Sequence, residues 1–166
     1  SSLPVSDAVL RVNPDNKAPY LAFKEKSVTG SESASADKLT VVNFLDGAWN
    51  LVGSAGFSNK VASSHFDFDV DSKGGLYVAY ADNEASPKSA KVMGYSGGSW
   101  SLVGSGAANN FVAQNLSLAA MSDNNLVLLQ KCNAKSDPFK RHDLVVSLYN
   151  GSWNSNTVLD ITSMAA

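Results

Sequence analysis

The sequence is poor in the residues from which most reactive sites are built. Its 166 residues include one cysteine, Cys132, so no internal disulfide is possible, and the lone thiol reads as a small residue at a strand end. Two histidines, His65 and His142, leave little for histidine-based chemistry. No G-x-S-x-G, H-E-x-x-H, phosphate-loop or dinucleotide fingerprint occurs. Net charge is only −2 and the 13 basic residues are scattered, so the footprint of a protein that grips a nucleic-acid backbone is missing. No apolar run approaches the roughly 18 to 20 residues that span a bilayer as a helix. The chain starts at Ser1 rather than Met, which fits removal of a signal peptide or of a preceding domain. Helical spacing is nearly absent too, because turn-forming residues recur too often to leave room for it.

What the sequence has is repetition. Trp49, Trp100 and Trp153 fall 51 and 53 residues apart, and each follows an aromatic residue: Phe44, Tyr95 and Tyr149. Between aromatic and tryptophan sit Asp46-Gly47, Gly97-Gly98 and Asn150-Gly151, pairs that supply the positive φ of tight hairpin turns. The first two tryptophans lead into the same four residues, Leu51 to Ser54 and Leu102 to Ser105; the third does not. Upstream in each copy lies an extended apolar run, Ala18 to Phe23, Leu76 to Tyr80 and Leu126 to Gln130, preceded by a turn and a further strand-like segment.

Each copy therefore reads as four short strands, a to d, in a meander. The copies span approximately residues 1–57, 58–108 and 109–166 of a single domain. A repeated meander of about 50 residues predicts an all-β fold made of β-propeller blades. A β-sandwich also uses many short strands, but it leaves the tryptophan column unexplained. Three copies cannot close a ring on their own, since rings take about four to eight blades. The expectation is half of a six-bladed ring, completed by a second chain or by a missing segment, with homo-oligomerisation as one route. The tryptophans are expected between blades, as core.

Copy two reads G-x-x-Y-V-A-Y-x-D over Gly74–Asp82 and Y-x-G-x-x-W-x-x-V-G over Tyr95–Gly104. In this it resembles a family of secreted, mostly uncharacterised bacterial-type β-propeller repeat proteins. Copy one keeps Tyr20, Ala22, Trp49, Val52 and Gly53, and copy three keeps Tyr149, Gly151 and Trp153. The resemblance implies an extracellular or cell-surface propeller. It carries over no functional residue.

The sharpest polar pattern is His65, Asp67, Asp69 and Asp71, which on a strand would share one face opposite Phe66, Phe68 and Val70. Asp67, Asp69 and Asp71 invite a Ca²⁺ reading; the alternative is a polar face paired with basic residues such as Arg11. An EF-hand is excluded, because its sixth loop position lacks Gly and its twelfth, Val78, is no carboxylate. Apart from that Ca²⁺ candidate no cofactor is expected.

The b-to-c loops, 24–37, 82–89 and 131–141, are long and dissimilar, and variable loops on a rigid scaffold usually carry recognition. The third gathers Lys131, Lys135, Phe139, Lys140 and Arg141, a basic and aromatic group suited to an acidic glycan or a partner. Candidate ligand-binding residues are thus His65, Asp67, Asp69, Lys131, Phe139, Lys140 and Arg141.

The well-repeated residues all read as core, whereas repeated pockets would repeat exposed polar ones. The first reading is accordingly a secreted, non-catalytic interaction or assembly module. A carbohydrate-binding, lectin-like propeller, with pockets between blades or on the b-to-c face, is the alternative, and half of a glycosidase-type propeller comes third.

Overall fold

The computed structural model describes residues 4–27, 33–122, 124–132 and 144–159. Among them there are twelve strands and no helix. Strands β1 (Val5–Val12), β2 (Pro19–Glu25), β3 (Leu39–Leu45) and β4 (Ala48–Leu51) form one antiparallel sheet in chain order. A second sheet contains β5 (Val61–Val70), β6 (Leu76–Asp82), β7 (Ala90–Ser96) and β8 (Ser99–Leu102). The third contains β9 (Ala113–Ala120), β10 (Leu126–Cys132), β11 (Leu144–Tyr149) and β12 (Trp153–Leu159).

Local chemistry accounts for the hairpins. Asp46 and Gly47 have φ of +54° and +80°, and Gly97 and Gly98 have +59° and +86°, each pair closing a two-residue turn with both central residues left-handed. The third hairpin uses the three residues Asn150 to Ser152, with Gly151 at +101°.

The sheets stack in sequence order, with the first strands drawn together so that β5 lies against both β1 and β9. Sheet 1 meets sheet 2 through Tyr20, Ala22, Leu39 and Val41 on one side and Phe66, Phe68, Val78 and Tyr80 on the other. Sheet 2 meets sheet 3 through Tyr77, Ala79, Ala90 and Val92 against Leu118, Leu126 and Leu128.

A strand covered on both faces needs no polar side, and every residue of β6 is buried. Among the described residues the second strand of each outer sheet is less completely covered. In β2 buried positions are interrupted by half-buried ones, and in β10 buried Leu126, Leu128 and Gln130 are interleaved with more exposed Val127 and Leu129. Three stacked sheets, rather than two, leave the sandwich alternative without support.

Tryptophan placement differs from the expectation in one copy. Trp100 and Trp153 sit at the joints between sheets, but Trp49 stands on the uncovered face of sheet 1 and is 52% exposed. Core packing there would require a sheet that the described residues do not contain.

Candidate functional site

The aspartate-rich strand is a three-sheet clasp. Alternation along β5 turns Phe66 and Phe68 into the core shared with sheet 1, and sends Asp67 and Asp69 to the opposite face. Arg11 of β1 donates from Nη2 to Asp67 Oδ1 and from Nε to Asp69 Oδ1, both at 3.3 Å. The remaining oxygens accept backbone N–H groups of β9: Leu118 to Asp67 Oδ2 and Ala120 to Asp69 Oδ2, both at 2.8 Å. Strand β9 is paired only with β10, so these edge amides take carboxylates in place of a neighbouring strand.

Asp71 does something else. Strand β5 ends at Val70, so Asp71 lies in the following turn. Its Oδ1 accepts N–H bonds from Lys73 and Gly75, both at 2.8 Å, and the Tyr77 hydroxyl donates to Oδ2 at 3.4 Å. Gly75 is required here, because a Cβ would fall 2.6 Å from Asp71 Oδ2. Burial, and then the neighbouring Asp71 charge, raises the Tyr77 hydroxyl pKa. The D-x-D-x-D spacing therefore does not converge on one point. Among the described residues no group of three or more His, Cys, Asp or Glu side chains is placed to hold a metal ion.

Of the other sequence candidates, Lys131 lies half-buried in β10. Phe139, Lys140 and Arg141, and the side chain of His65, lie outside the described residues. The b-to-c loop of sheet 2 is anchored at Asp82, which is fully buried and accepts from Asn59 Nδ2 at 3.0 Å and from Glu84 N–H at 2.9 Å, while pairing with Lys91. Burial pushes the Asp82 carboxyl up, but the bonds from Lys91, Glu84 and Asn59 outweigh it and hold the pKa below the ordinary value. Beside it, burial and then the Asp82 charge push Tyr80 up to about 12.

Open space lies elsewhere, at the joint of sheets 2 and 3. A cavity of about 660 Å³ is bounded by the link that leaves β8 and by the start of β12, with Ser105, Asn110, Phe111, Ser152 and Trp153 among its walls. The Trp153 indole is fixed by its Nε1–H bond to Val103 O at 2.8 Å. It packs against Gly104, whose φ is +81° and where a Cβ would fall 2.9 Å from Trp153 Cδ1. Among the described residues that line this cavity, none has a charged side chain. An anchored aromatic ring with hydroxyl and amide groups around it suits a neutral ligand that has both an apolar face and several hydroxyls. A smaller hollow of about 300 Å³ lies on the outer face of sheet 1, beside Trp49, Phe23 and Val42.

None of the described sequence candidates, Asp67, Asp69 and Lys131, lines the larger cavity, and reasoning from repetition passed it over. Its tryptophan belongs to the repeated column, which reads as scaffold. The signal was a difference in the segment after each Val-Gly pair, where Phe57 of the first copy is replaced by Ala108 in the second.

No protein-family model and no curated protein matches the chain. The fold is similar to that of a fucose lectin from Kordia zhangzhouensis, solved in complex with methyl-fucoside. The TM-score is 0.54 at 10% identity, over 93% of this chain and 100% of the lectin chain. At that identity the likeness is one of fold.

Proposed function

We propose that this protein is a glycan-binding, lectin-like module whose sheets are blades of a β-propeller. The observation that carries the reading is the cavity at the joint of sheets 2 and 3, uncharged among the described residues, with a hydrogen-bonded indole in its wall and hydroxyl and amide groups at its rim. Sugar rings present patches of C–H to an aromatic face and hydroxyls to their surroundings, and the cavity offers partners for both. The end-to-end fold likeness to a fucose lectin supports the same reading over a purely structural assembly module.

Assembly is part of the proposal. The outer face of sheet 1 carries Leu10, Val12, Phe44, Trp49 and Leu51, all at least 39% exposed. Four of these stand at the strand positions that in sheet 2 hold Phe68, Val70, Tyr95 and Trp100, the side that sheet 1 covers. The outer face of sheet 3, with Leu129 and Leu148 exposed, corresponds to the side on which sheet 2 meets sheet 3. A second copy presents both halves of such a joint, so two copies arranged head to tail about a two-fold axis complete a six-bladed ring. The kinship with secreted propeller repeat proteins, and with it a place outside the cytoplasm, belongs to the same proposal and rests on the blade motif.

A glycan array followed by titration with methyl-fucoside and other methyl glycosides tests the function. Binding that saturates at millimolar or lower concentration is expected, and no response to any sugar would remove the lectin reading.

A further inference from the structure

The two inter-sheet joints are built alike down to single hydrogen bonds. Trp100 Nε1–H donates to Val52 O at 2.8 Å, and Trp153 Nε1–H donates to Val103 O at 2.8 Å. A Cβ on Gly53 would lie 2.9 Å from Trp100 Cδ1 and 3.3 Å from Tyr95 Cε2; on Gly104 the distances to Trp153 Cδ1 and Tyr149 Cε2 are the same. Past the Val-Gly pair, Phe57 N–H donates to Leu39 O, the first residue of β3, and Ala108 N–H donates to Ala90 O, the first residue of β7. Phe57 and Ala108 therefore hold the same place in the two joints.

Their side chains give that place opposite fates. The Phe57 ring lies flat on Trp100, with centroids 4.4 Å apart and planes 9° from parallel. Ala108 has no ring to offer. Among the described residues none stacks on Trp153 in this way, and the 660 Å³ cavity opens there. Van der Waals contact with one face of an indole, lost where Ala replaces Phe, is recoverable by any flat apolar surface of similar size.

We infer that a single pyranose ring binds against Trp153 in the position that Phe57 fills on Trp100, so that each chain carries one open site and one joint plugged by its own side chain. This rests on the lectin reading and adds to it a location, a ligand size and a stoichiometry. The ligand is a neutral monosaccharide or a terminal residue of a glycan, with a C–H face for the indole and hydroxyls for Ser105, Asn110 and Ser152. Methyl-fucoside is a natural first probe, having been bound by the lectin of similar fold.

The three tryptophans give three indole N–H resonances, which makes the inference testable on the intact chain. With methyl-fucoside and a panel of other methyl glycosides, the Trp153 resonance is expected to shift on saturation while those of Trp49 and Trp100 stay in place. Ala108→Phe, which copies the natural plug of the first joint, is expected to keep the fold and weaken binding by at least about tenfold. Phe57→Ala is expected to open a second site, raising the calorimetric stoichiometry from one to two per chain and bringing the Trp100 resonance into the response. If no glycoside of the panel binds, the lectin reading falls and this site with it. If one binds but leaves the Trp153 resonance unmoved, or binds Ala108→Phe as tightly as the parent, the site assignment alone is overturned.

Discussion

The carboxylate of Asp67 accepts the backbone N–H of Leu118 at 2.8 Å, across the boundary between two sheets and 51 residues along the chain. Asp69 does the same for Ala120, and Arg11 from the remaining sheet pairs with both carboxylates. The three sheets thus meet at their first strands through charge-assisted bonds as well as through apolar packing.

Removing either carboxylate leaves a β9 amide without its acceptor and Arg11 with one of its two carboxylate partners. Asp67→Ala and Asp69→Ala are each expected to lower stability by roughly 1–3 kcal/mol in denaturant titrations. Arg11→Ala should cost less, about 1 kcal/mol, because the guanidinium is part-exposed and partly screened by water. An aspartate variant that unfolds at the parent's denaturant midpoint would show that solvent replaces the clasp at no cost.

The same arrangement bears on calcium. With the oxygens of Asp67 and Asp69 engaged by Arg11 and β9, and those of Asp71 by its own turn and the Tyr77 hydroxyl, these carboxylates are already occupied. Neither millimolar Ca²⁺ nor a chelator is expected to move the thermal midpoint. A Ca²⁺-dependent rise would mean that the clasp opens to admit an ion.

Gly53 and Gly104 carry a double requirement: φ near +82°, and an indole where a Cβ would stand. Gly53→Ala and Gly104→Ala are each expected to cost more than about 1 kcal/mol, the strain and the clash adding together. Gly97→Ala makes a useful contrast, because its φ of +59° brings strain but no neighbour lies within 4 Å. Thermal melts that rank Gly97→Ala as the most damaging of the three would contradict the role given to the Trp joints.

Two buried groups contribute to the pH dependence of stability. The Asp82 pKa is lowered in the fold, so its contribution is present above the unfolded value of 3.8 and is lost as pH falls through the lower folded value. Tyr80 runs the other way. Its pKa is raised from 10.0 to about 12, so its contribution is complete below pH 10 and disappears as pH climbs toward 12. Tyr80→Phe should therefore flatten the alkaline limb of a stability profile between those values, and Asp82→Asn the acid limb below pH 3.8. An alkaline limb unchanged in Tyr80→Phe would assign it to another group.

Repetition made the strands legible. The Asp-Gly and Gly-Gly turns lie where their φ demands them, and the unbroken apolar run Leu76–Tyr80 announces a strand covered on both faces. The clasp was only half legible, since a sequence displays carboxylates and an arginine but not the backbone amides of β9, which look the same at every residue. Asp71 falls just past the end of β5, and a period of two does not show that its carboxylate is taken up by the N–H groups of its own turn. The cavity escaped for a further reason: averaging copies into a consensus treats the exchange of Phe57 for Ala108 as noise, when a lost ring is what leaves the space.

Trp49 decides how the stack ends. It occupies the position of Trp100 and Trp153 but is 52% exposed, and it shares the outer face of sheet 1 with Leu10 and Leu51, both more than half exposed. Burying such a face against a second copy is worth about 25 cal/mol per Å² of apolar surface, enough for several such side chains to hold a dimer. That joint cannot repeat the Trp100 bond in full, because β12 runs on through 154–159, whereas β4 and β8 give way to Val-Gly. Light scattering at micromolar concentration is expected to give twice the chain mass of 17.4 kDa. Leu10→Lys combined with Leu51→Lys should return the protein to one chain and leave the joint at Trp153 folded. A parent that runs as a strict monomer throughout that range would refute closure by a second copy, and the uncovered face would then await a different partner.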